Sequence, residues 1–451
     1  MKAPDERTDR KTAKVGLRWQ GAVPSSKKVA APEEPSATAI RSAVARSREM
    51  RAGGRFREAA EAMLALAGAA PGAAEVQEEL ARVLRGMGDG EGAIAAYRRA
   101  TELAPAKGDH FYQLGAVLVE RRRAREAEAA ADRLLALEPD QSRGHALKGL
   151  ALRAAGSLEA AALWLERAMV LAPADFTTLN ALMMTLYGLG RIEEARARGL
   201  AALVHKDRQA LADFARSPMA GLTVSRRAAP FDATRPRRNV IAFSLWGDRP
   251  EYTHGAIVNA QIAPHIYKGW TCRFYCDDTV PRVILEELRH LKAQVIPMPE
   301  RNAVASGAFW RFLASDDPEV DRFVCRDVDS RVNCKEKAAV DAWIASGRMF
   351  HAMRDHIYHN ELILAGMWGG VARVLPNLDA LSRRGHRFSG VRHADQNFLR
   401  GVVWPMIRDD LLVHDSQYRF AGSQDFPGPC GLPAPFHVGW SERDMPAWTP
   451  R

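Results

Sequence analysis

Small residues recur with a fixed period along the N-terminal half of the chain. Proline stands every 34 residues at Pro71, Pro105, Pro139 and Pro173. The same spacing separates Ala59, Ala93, Ala127, Ala161 and Ala195, and it relates Gly54, Gly88, Gly156 and Gly190. In each unit the glycine can make a turn between two helices, the alanine lets them approach closely, and the proline follows the second helix, which it cannot continue. The pattern therefore predicts a series of helix pairs.

This period and these residue types resemble the tetratricopeptide repeat. The resemblance implies an α-solenoid over residues 38–216, with five repeats at 38–71, 72–105, 106–139, 140–173 and 174–207 and a closing helix. Its concave groove would bind a protein or peptide, and a passive spacer or a dimerisation surface is the alternative. Arg122 replaces the turn glycine of the third unit, which suggests a modified turn. Asp207 replaces the fifth proline, as expected of an atypical terminal unit.

The C-terminal half changes to short apolar segments that alternate with helical ones. We predict strands at 240–245, 271–276, 294–298 and 323–326, with helices at 253–265, 281–291, 308–314 and 336–346. This alternation indicates an α/β domain over residues 239–441, a mainly parallel sheet with helices on both faces. The first strand is not followed by a Gly-x-Gly-x-x-Gly motif, and there is no Gly-Lys-Ser/Thr loop. A dinucleotide dehydrogenase and a P-loop NTPase are therefore disfavoured.

The remaining segments are polar. Residues 1–37 are basic and then rich in proline, alanine and glutamate, so we expect a disordered tail. Residues 217–238 are predicted to be a linker and 442–451 a second tail. No segment approaches the roughly 20 apolar residues of a membrane span. Five cysteines without a Cys-x-x-Cys pair argue against a disulfide framework and structural zinc, and we expect a cytoplasmic protein.

The formal net charge of +10 raises the question of a nucleic-acid partner. The basic residues, however, are spread along predicted helices among many glutamates, without the interleaved aromatic residues of a single-strand binder. Solvated helix faces explain this distribution better. We therefore predict no nucleic-acid partner and at most a peripheral contact with anionic membranes.

Two carboxylates follow the fourth predicted strand of the C-terminal half. Asp327 and Asp329 come directly after the apolar segment 323–326, which would bring them to the carboxyl edge of the sheet, where such folds bind ligands. Paired carboxylates can hold Mg²⁺ or Mn²⁺ and leave positions for phosphate oxygens, and arginines such as Arg331 can fork onto the remaining oxygens. A solvated acidic turn is the alternative for so short a motif.

The short sequence segments around this motif resemble those of a group of GT-A-type glycosyltransferases. They include Phe-Trp-Arg-Phe at 309–312, Arg-Asp-Val-Asp-Ser-Arg at 326–331 and Asp-Gln-Asn-Phe-Leu at 395–399. The resemblance, from about residue 238 to residue 440, implies sugar transfer from a nucleotide-diphospho-sugar donor to a glycan or protein acceptor with Mn²⁺ or Mg²⁺. It implies that Asp329 ligates the metal and that Asp327 contacts the metal or the ribose.

A third metal ligand is suggested near the C-terminus. His437-Val438-Gly439 resembles the His-x-x-Gly segment of glycogenin-like transferases, although it is one residue shorter. His437 is therefore our candidate, with His414 as its rival. A structural histidine is the common alternative for either.

The resemblance also implies a set of donor-binding residues: Trp246, Arg311, Asp327, Arg331, Arg354, Asp355, His356, Gly366 and Trp368. Trp246 would stack on the base or cap the core. Arg311 would bind the diphosphate or pair with Asp327. The glycine-rich segment 366–370 would let the backbone approach a sugar. Asp395 is the catalytic candidate, as a general base, a sugar ligand or a helix N-cap.

Two other functions compete with sugar transfer. The first is a repeat-based adaptor whose second domain binds a sugar nucleotide without catalysis. The second is a phosphatase that uses Asp-x-Asp as its nucleophile. In that class the motif normally follows the first strand of the domain, whereas three predicted strands precede Asp327 here. Sugar transfer therefore remains the preferred prediction.

Overall fold

A computed structural model describes residues 35–226, 230–298, 307–384, 394–428, 432 and 436–441. Most of the predicted N-terminal tail, residues 1–34, and the whole predicted C-terminal tail lie outside these ranges. Two regions of secondary structure follow one another along the described chain, a helical array and a sheet with its helices.

Within residues 35–226, ten helices form the array, in five consecutive pairs. They are α1 (Ala37–Ala52), α2 (Phe56–Ala69), α3 (Ala74–Gly86), α4 (Gly90–Leu103), α5 (Gly108–Glu120), α6 (Ala124–Leu137), α7 (Ser142–Ala154), α8 (Leu158–Leu171), α9 (Phe176–Gly188) and α10 (Ile192–Ala215). The periodic alanines all lie on the second helix of a pair and are fully buried. Their small side chains allow close helix packing, so the helical repeat array is confirmed.

The turns within the pairs depend on a left-handed residue. Gly54, Gly88, Gly156 and Gly190 have φ angles between 73° and 84°, a conformation in which a side chain is strained. Arg122, at the equivalent position of the third pair, has φ 58°. The turn that we expected to be modified thus keeps its left-handed backbone, and the strain falls on Arg122.

We predict that Arg122→Gly stabilises the protein. The left-handed conformation costs a residue with a Cβ atom about 1 kcal/mol, and glycine removes that cost. The free energy of unfolding in urea should rise by about this amount. Gly156→Ala is the matched control and should lower it by a similar amount. If Arg122→Gly has unchanged or lower stability, contacts of the Arg122 side chain offset the strain.

Seven strands form a single sheet in the described C-terminal part. They are β1 (Asn239–Leu245), β2 (Thr271–Cys276), β3 (Gln294–Pro297), β4 (Arg322–Arg326), β5 (Phe350–Arg354), β6 (Met367–Val371) and β7 (Leu411–Asp415), in the order β3-β2-β1-β4-β6-β5-β7. The four predicted strands are all present and pair in parallel. Strand β6 runs antiparallel to β4 and β5, whereas β5 and β7 pair in parallel, so the described sheet is mixed, with four of its six strand pairings parallel.

Helices cover both faces of the sheet, because alternate residues of each strand point to opposite sides. On β1, Ile241 and Phe243 belong to one core and Val240 and Ala242 to the other. The first core is completed by α11 (Pro250–Ile266), α12 (Arg282–His290) and α13 (Cys334–Ser346). The second contains the 3₁₀ helix Gly307–Ser315, α14 (Leu378–Arg384), α15 (Ala394–Phe398) and α16 (Trp404–Ile407). None of the described helices is long and apolar enough to cross a membrane.

The second core continues into the last repeat. Leu186 of α9 and Leu203 of α10 belong to the same buried cluster as Trp404 of α16. At its edge the Trp404 indole donates to the carboxylate of Asp207 at 2.7 Å. In the predicted linker, the Ser225 N–H donates to the Val374 carbonyl at 2.8 Å, so this segment also contacts the sheet region. The array and the sheet region therefore share apolar and polar contacts.

Candidate functional site

A cavity of about 300 Å³ opens at the carboxyl ends of β1 and β4. Because these strands are parallel neighbours, the residues that follow them meet at the same edge of the sheet. Trp246 follows β1 and lines the cavity, as do Asp327 and Asp329 after β4. Asp395 of α15 completes this group of predicted residues.

Arg311 links two of the acidic side chains. Its Nη1 lies 2.5 Å from Asp327 Oδ1 and its Nη2 lies 2.9 Å from Asp395 Oδ2. The backbone N–H of Arg311 donates to the Ser244 hydroxyl at 3.0 Å, which fixes the start of the side chain. Burial opposes the charge of Arg311, but the carboxylates of Asp327 and Asp395 outweigh it and raise the pKa of the guanidinium. The predicted salt bridge with Asp327 is therefore present, and Arg311 also lines the cavity.

Asp329 is the second, partly buried member of the aspartate pair. Its Oδ2 accepts a hydrogen bond from the Ser441 hydroxyl at 2.9 Å. Burial, together with the negative charge of Asp327, raises the pKa of the Asp329 carboxyl. This is the electrostatic signature of acidic groups that would be stabilised by a nearby cation.

The tight approach of β6 to this pair depends on Gly366. A Cβ atom at this position would overlap Asp327 Oδ2 and lie 2.9 Å from the Asp327 backbone nitrogen. Gly366 thus lies beside Asp327, and its neighbours Met367–Val371 form strand β6 instead of an open glycine-rich segment. The segment 366–370 therefore owes its glycines mainly to close strand packing, as at Gly369 against the Phe323 carbonyl.

One side of the cavity is closed by residues 436–441, which we call the closing segment. Gly439 and Ser441 line the cavity, and the Gly439 carbonyl accepts a hydrogen bond from the Ser330 hydroxyl at 3.1 Å. The Val438 N–H donates to Asp355 Oδ2 at 2.8 Å. Ser441 was not predicted, because a lone serine carries no pattern that distinguishes it from a surface residue, and Ser330 lies within the motif 326–331 but was given no role.

Six of the predicted donor-binding residues are not part of the cavity lining, and three of them make other contacts that the structure defines. Trp368 is a fully buried core residue on β6, packed edge-on against Phe312 and Phe323. Arg354 is buried at the end of β5, where its Nε donates to the Glu361 carbonyl at 3.2 Å. Arg331 directs its Nη1 to backbone carbonyls of its own turn, including that of Val328 at 3.3 Å. These positions differ from the predicted contact with a donor.

Asp355 and His356 also lie outside the lining and act on the closing segment instead. Asp355 accepts hydrogen bonds from Lys335 at 2.5 Å and from Ser416 at 2.8 Å, besides that from Val438. The His356 ring stacks on that of His437 with a centroid distance of 4.3 Å. Their positions suit a structural support of the cavity wall.

The predicted third metal ligand is not placed beside the two aspartates. The described residues contain no cluster of three or more His, Cys, Asp or Glu side chains that could hold a metal. His437 directs Nδ1 to the Val438 carbonyl at 2.9 Å. Its rival His414 is paired with His351 at 2.8 Å, and burial lowers the pKa of His414 to about 4. Asp327 and Asp329 are thus the candidate protein ligands that line the cavity.

Comparison with known sequences identifies the helical array. A family described as the tetratricopeptide repeat matches residues 44–107 and 112–176. The N-terminal region contains tetratricopeptide repeats. No curated protein matches the chain.

Solved structures are similar to part of this chain at low sequence identity. MamA from Desulfovibrio magneticus RS-1 has 20% identity and a TM-score of 0.33, covering 35% of this chain and 89% of its own. A thermophilic tetratricopeptide protein from Thermus thermophilus has 19% identity and a TM-score of 0.32, covering 37% and 90%. An O-GlcNAc transferase mutant from Thermobaculum terrenum has 22% identity and a TM-score of 0.34, covering 51% of this chain and 42% of its own.

We predict that Gly366→Ala destabilises the protein by about 1–3 kcal/mol, the usual cost of overpacking. The new methyl group would push the Asp327 carboxylate out of its ion pair with Arg311. Urea unfolding measures the loss. Gly68→Ala is the control, because a Cβ atom there meets no atom within 4 Å. Equal stability of the Gly366 variant and the parent would contradict the position of Asp327 described above.

Proposed function

We propose that the sheet region is a metal-dependent glycosyltransferase that moves a sugar from a nucleotide-diphospho-sugar to an acceptor positioned by the repeats. The observation that supports this most is the juxtaposition of Asp327 and Asp329 with Trp246 and Arg311 around one cavity at the carboxyl edge of the sheet. An aromatic face, a fixed guanidinium and a carboxylate pair suit the base, the phosphates and the metal of such a donor.

The donor set fits Mn²⁺ or Mg²⁺. Mg²⁺ is commonly bound through one or two carboxylates together with substrate phosphates, so two aspartates suffice on the protein side. The raised pKa of Asp329 beside Asp327 supports this assignment, because a cation relieves their repulsion. When bound, the metal would supply positive charge to the departing nucleotide diphosphate.

The protein's own groups would bind and orient the donor. Trp246 is half-buried, with its edge against Trp310 at a centroid distance of 6.0 Å, and offers a ring to the base. Arg311 is held by its two carboxylates at the cavity wall, and the second N–H of Nη1 or Nη2 would donate to a phosphate oxygen. Asp395 lies at the same wall and remains the candidate to bind the sugar or to take the proton of the acceptor hydroxyl.

The repeats would supply the acceptor. Tetratricopeptide repeats generally bind proteins or peptides in their groove. The last repeat packs against the sheet region, so an acceptor bound by the array would be held on the same folded unit as the cavity. An adaptor function without catalysis would use the same groove, and donor turnover distinguishes the two.

We predict that Asp329→Asn slows sugar transfer about a thousandfold, which corresponds to roughly 4 kcal/mol of barrier. Asparagine preserves the shape but lacks the charge that holds a divalent cation. Mn²⁺ with a nucleotide diphosphate should raise the melting temperature of the parent and not that of the variant. Because the folded state raises the pKa of Asp329, its charge is unfavourable at neutral pH, and the variant alone should melt at a higher temperature.

Asp409→Asn is the matched control, since that carboxylate is 99% exposed on the surface. It should leave turnover and the metal-dependent shift unchanged. Full turnover and an unchanged shift in the Asp329 variant would contradict the assignment. Release of inorganic phosphate from a phosphate monoester, lost in the same variant, would favour the phosphatase instead.

A further inference from the structure

One loop lies between the last repeat and the closing segment. We call residues 355–361 the histidine loop, because it contains His356 and His359. On the repeat side, the Tyr187 ring of α9 meets the rings of His356 and Tyr358 edge-on, each at a centroid distance of 5.6 Å. Asn360 donates to the side chain of Asn180, also on α9, at 2.5 Å. The loop is thus attached to the array by both ring and polar contacts.

Polar contacts from α10 strengthen this attachment. The Lys206 side chain is only 3% exposed, and its Nζ donates to the Asn360 carbonyl at 2.6 Å. The same Nζ lies 3.2 Å from the Glu361 carboxylate. A buried ammonium group that has these partners holds its surroundings firmly, because moving them would leave the charge unsatisfied.

The opposite side of the histidine loop carries the closing segment. His356 stacks on His437 with an interplanar angle of 20°, and Asp355 accepts the Val438 N–H at 2.8 Å. At the other end of this segment the Ser441 hydroxyl donates to Asp329 Oδ2. The contacts therefore run without interruption from Tyr187 to the carboxylate of Asp329.

The histidine loop is also braced internally. His359 Nδ1 accepts the backbone N–H groups of Asp355 at 3.0 Å and of His356 at 3.1 Å. Burial, followed by the neighbouring His437 and His356, lowers the pKa of His359 well below its usual value, so the ring remains an acceptor at neutral pH. These two hydrogen bonds tie His359 to the first residues of the loop, so Asp355 and His356 are held in place relative to it.

We propose that Tyr187 is a positioning residue for Asp329, so that the last repeat forms part of the support of the candidate site. It acts through the stacked rings of His356 and His437 and through the Ser441 hydroxyl. The role of Asp329 as a metal ligand rests on the proposed function, whereas the mechanical coupling does not. A partner that binds the last repeat and shifts α9 would thereby change the affinity of the site.

Hydrogen exchange of the full-length protein tests the coupling without a ligand. In Tyr187→Leu, which loses the ring contacts, the amides of 436–441 should exchange at least about fivefold faster, since an edge-on ring contact has about this effect on an equilibrium. Tyr187→Phe keeps the ring and should exchange like the parent. His356→Asn should raise the exchange rate of these amides as much as Tyr187→Leu does. Tyr112→Leu, on α5 of the array, is the control and should leave this segment unchanged.

Titration with Mn²⁺ and inorganic pyrophosphate tests the consequence for the site. Tyr187→Leu and Ser441→Ala should each weaken Mn²⁺ binding about five- to tenfold, and the double variant no more than Ser441→Ala alone, because both act on one path. Multiplied effects, or unchanged exchange of 436–441 in both Tyr187→Leu and His356→Asn, would overturn the proposal. If Tyr187→Leu and His356→Asn exchange 436–441 faster but the parent binds no Mn²⁺, the coupling stands and only the proposed metal site is rejected.

Discussion

The parallel pairing of β1 with β4 is the contact on which the candidate site depends. Both strands are buried on their two faces, so their register is fixed by side chains in two separate cores. Ile241 and Val324 are directly paired, and this register brings the ends of both strands to one edge. Trp246, Asp327 and Asp329 meet there for this reason. The buried Arg311 then holds the carboxylate of Asp327, and the Ser441 hydroxyl holds that of Asp329.

The second constraint is the core shared by the last repeat and the sheet region. In a solenoid the terminal helix usually exposes one face to solvent and is polar there. Here α10 instead buries Leu203 and Lys206, and Tyr418 from the sheet region packs directly over Gly199. The array is therefore positioned relative to the cavity by packing rather than by the covalent connection alone. The histidine loop packs on α9 of the last repeat, and the closing segment packs on the histidine loop, so the positions of both depend on this contact.

Much of this architecture is visible in the sequence. The 34-residue period predicts the helix pairs because each unit repeats the same small residues at the points of close packing. The strands β1 to β4 are predicted because they are short apolar segments bounded by polar turns. Strands β6 and β7 were missed. In β6, Gly369 and Gly370 weaken any strand pattern and are explained only by the close approach of neighbouring strands. Because β6 was not predicted, Trp368 was expected at the donor site, whereas it is a buried core residue of that strand.

The residues around the cavity also fall into two groups, those that the sequence predicts and those that it does not. Asp327 and Asp329 are predictable because they directly follow a strand, and their position needs only the sheet topology. His437 and Ser441 depend on how the closing segment returns to the sheet from far along the chain, and no local pattern encodes that return. Arg354 and Asp355 follow a strand too, but β5 lies two strands from β4 in the sheet. That a residue follows a strand therefore indicates a place at the cavity only when the position of that strand in the sheet is known.

The most direct test of the central claim is a thermal-shift screen of the full-length protein against nucleotide-diphospho-sugars with different bases and sugars, each with and without Mn²⁺. The account predicts that at least one donor raises the melting temperature only when Mn²⁺ is present, and that Asp329→Asn abolishes this rise. If no donor produces a metal-dependent shift, or if the shift persists in the variant, the aspartate pair is not a donor site and the glycosyltransferase assignment fails.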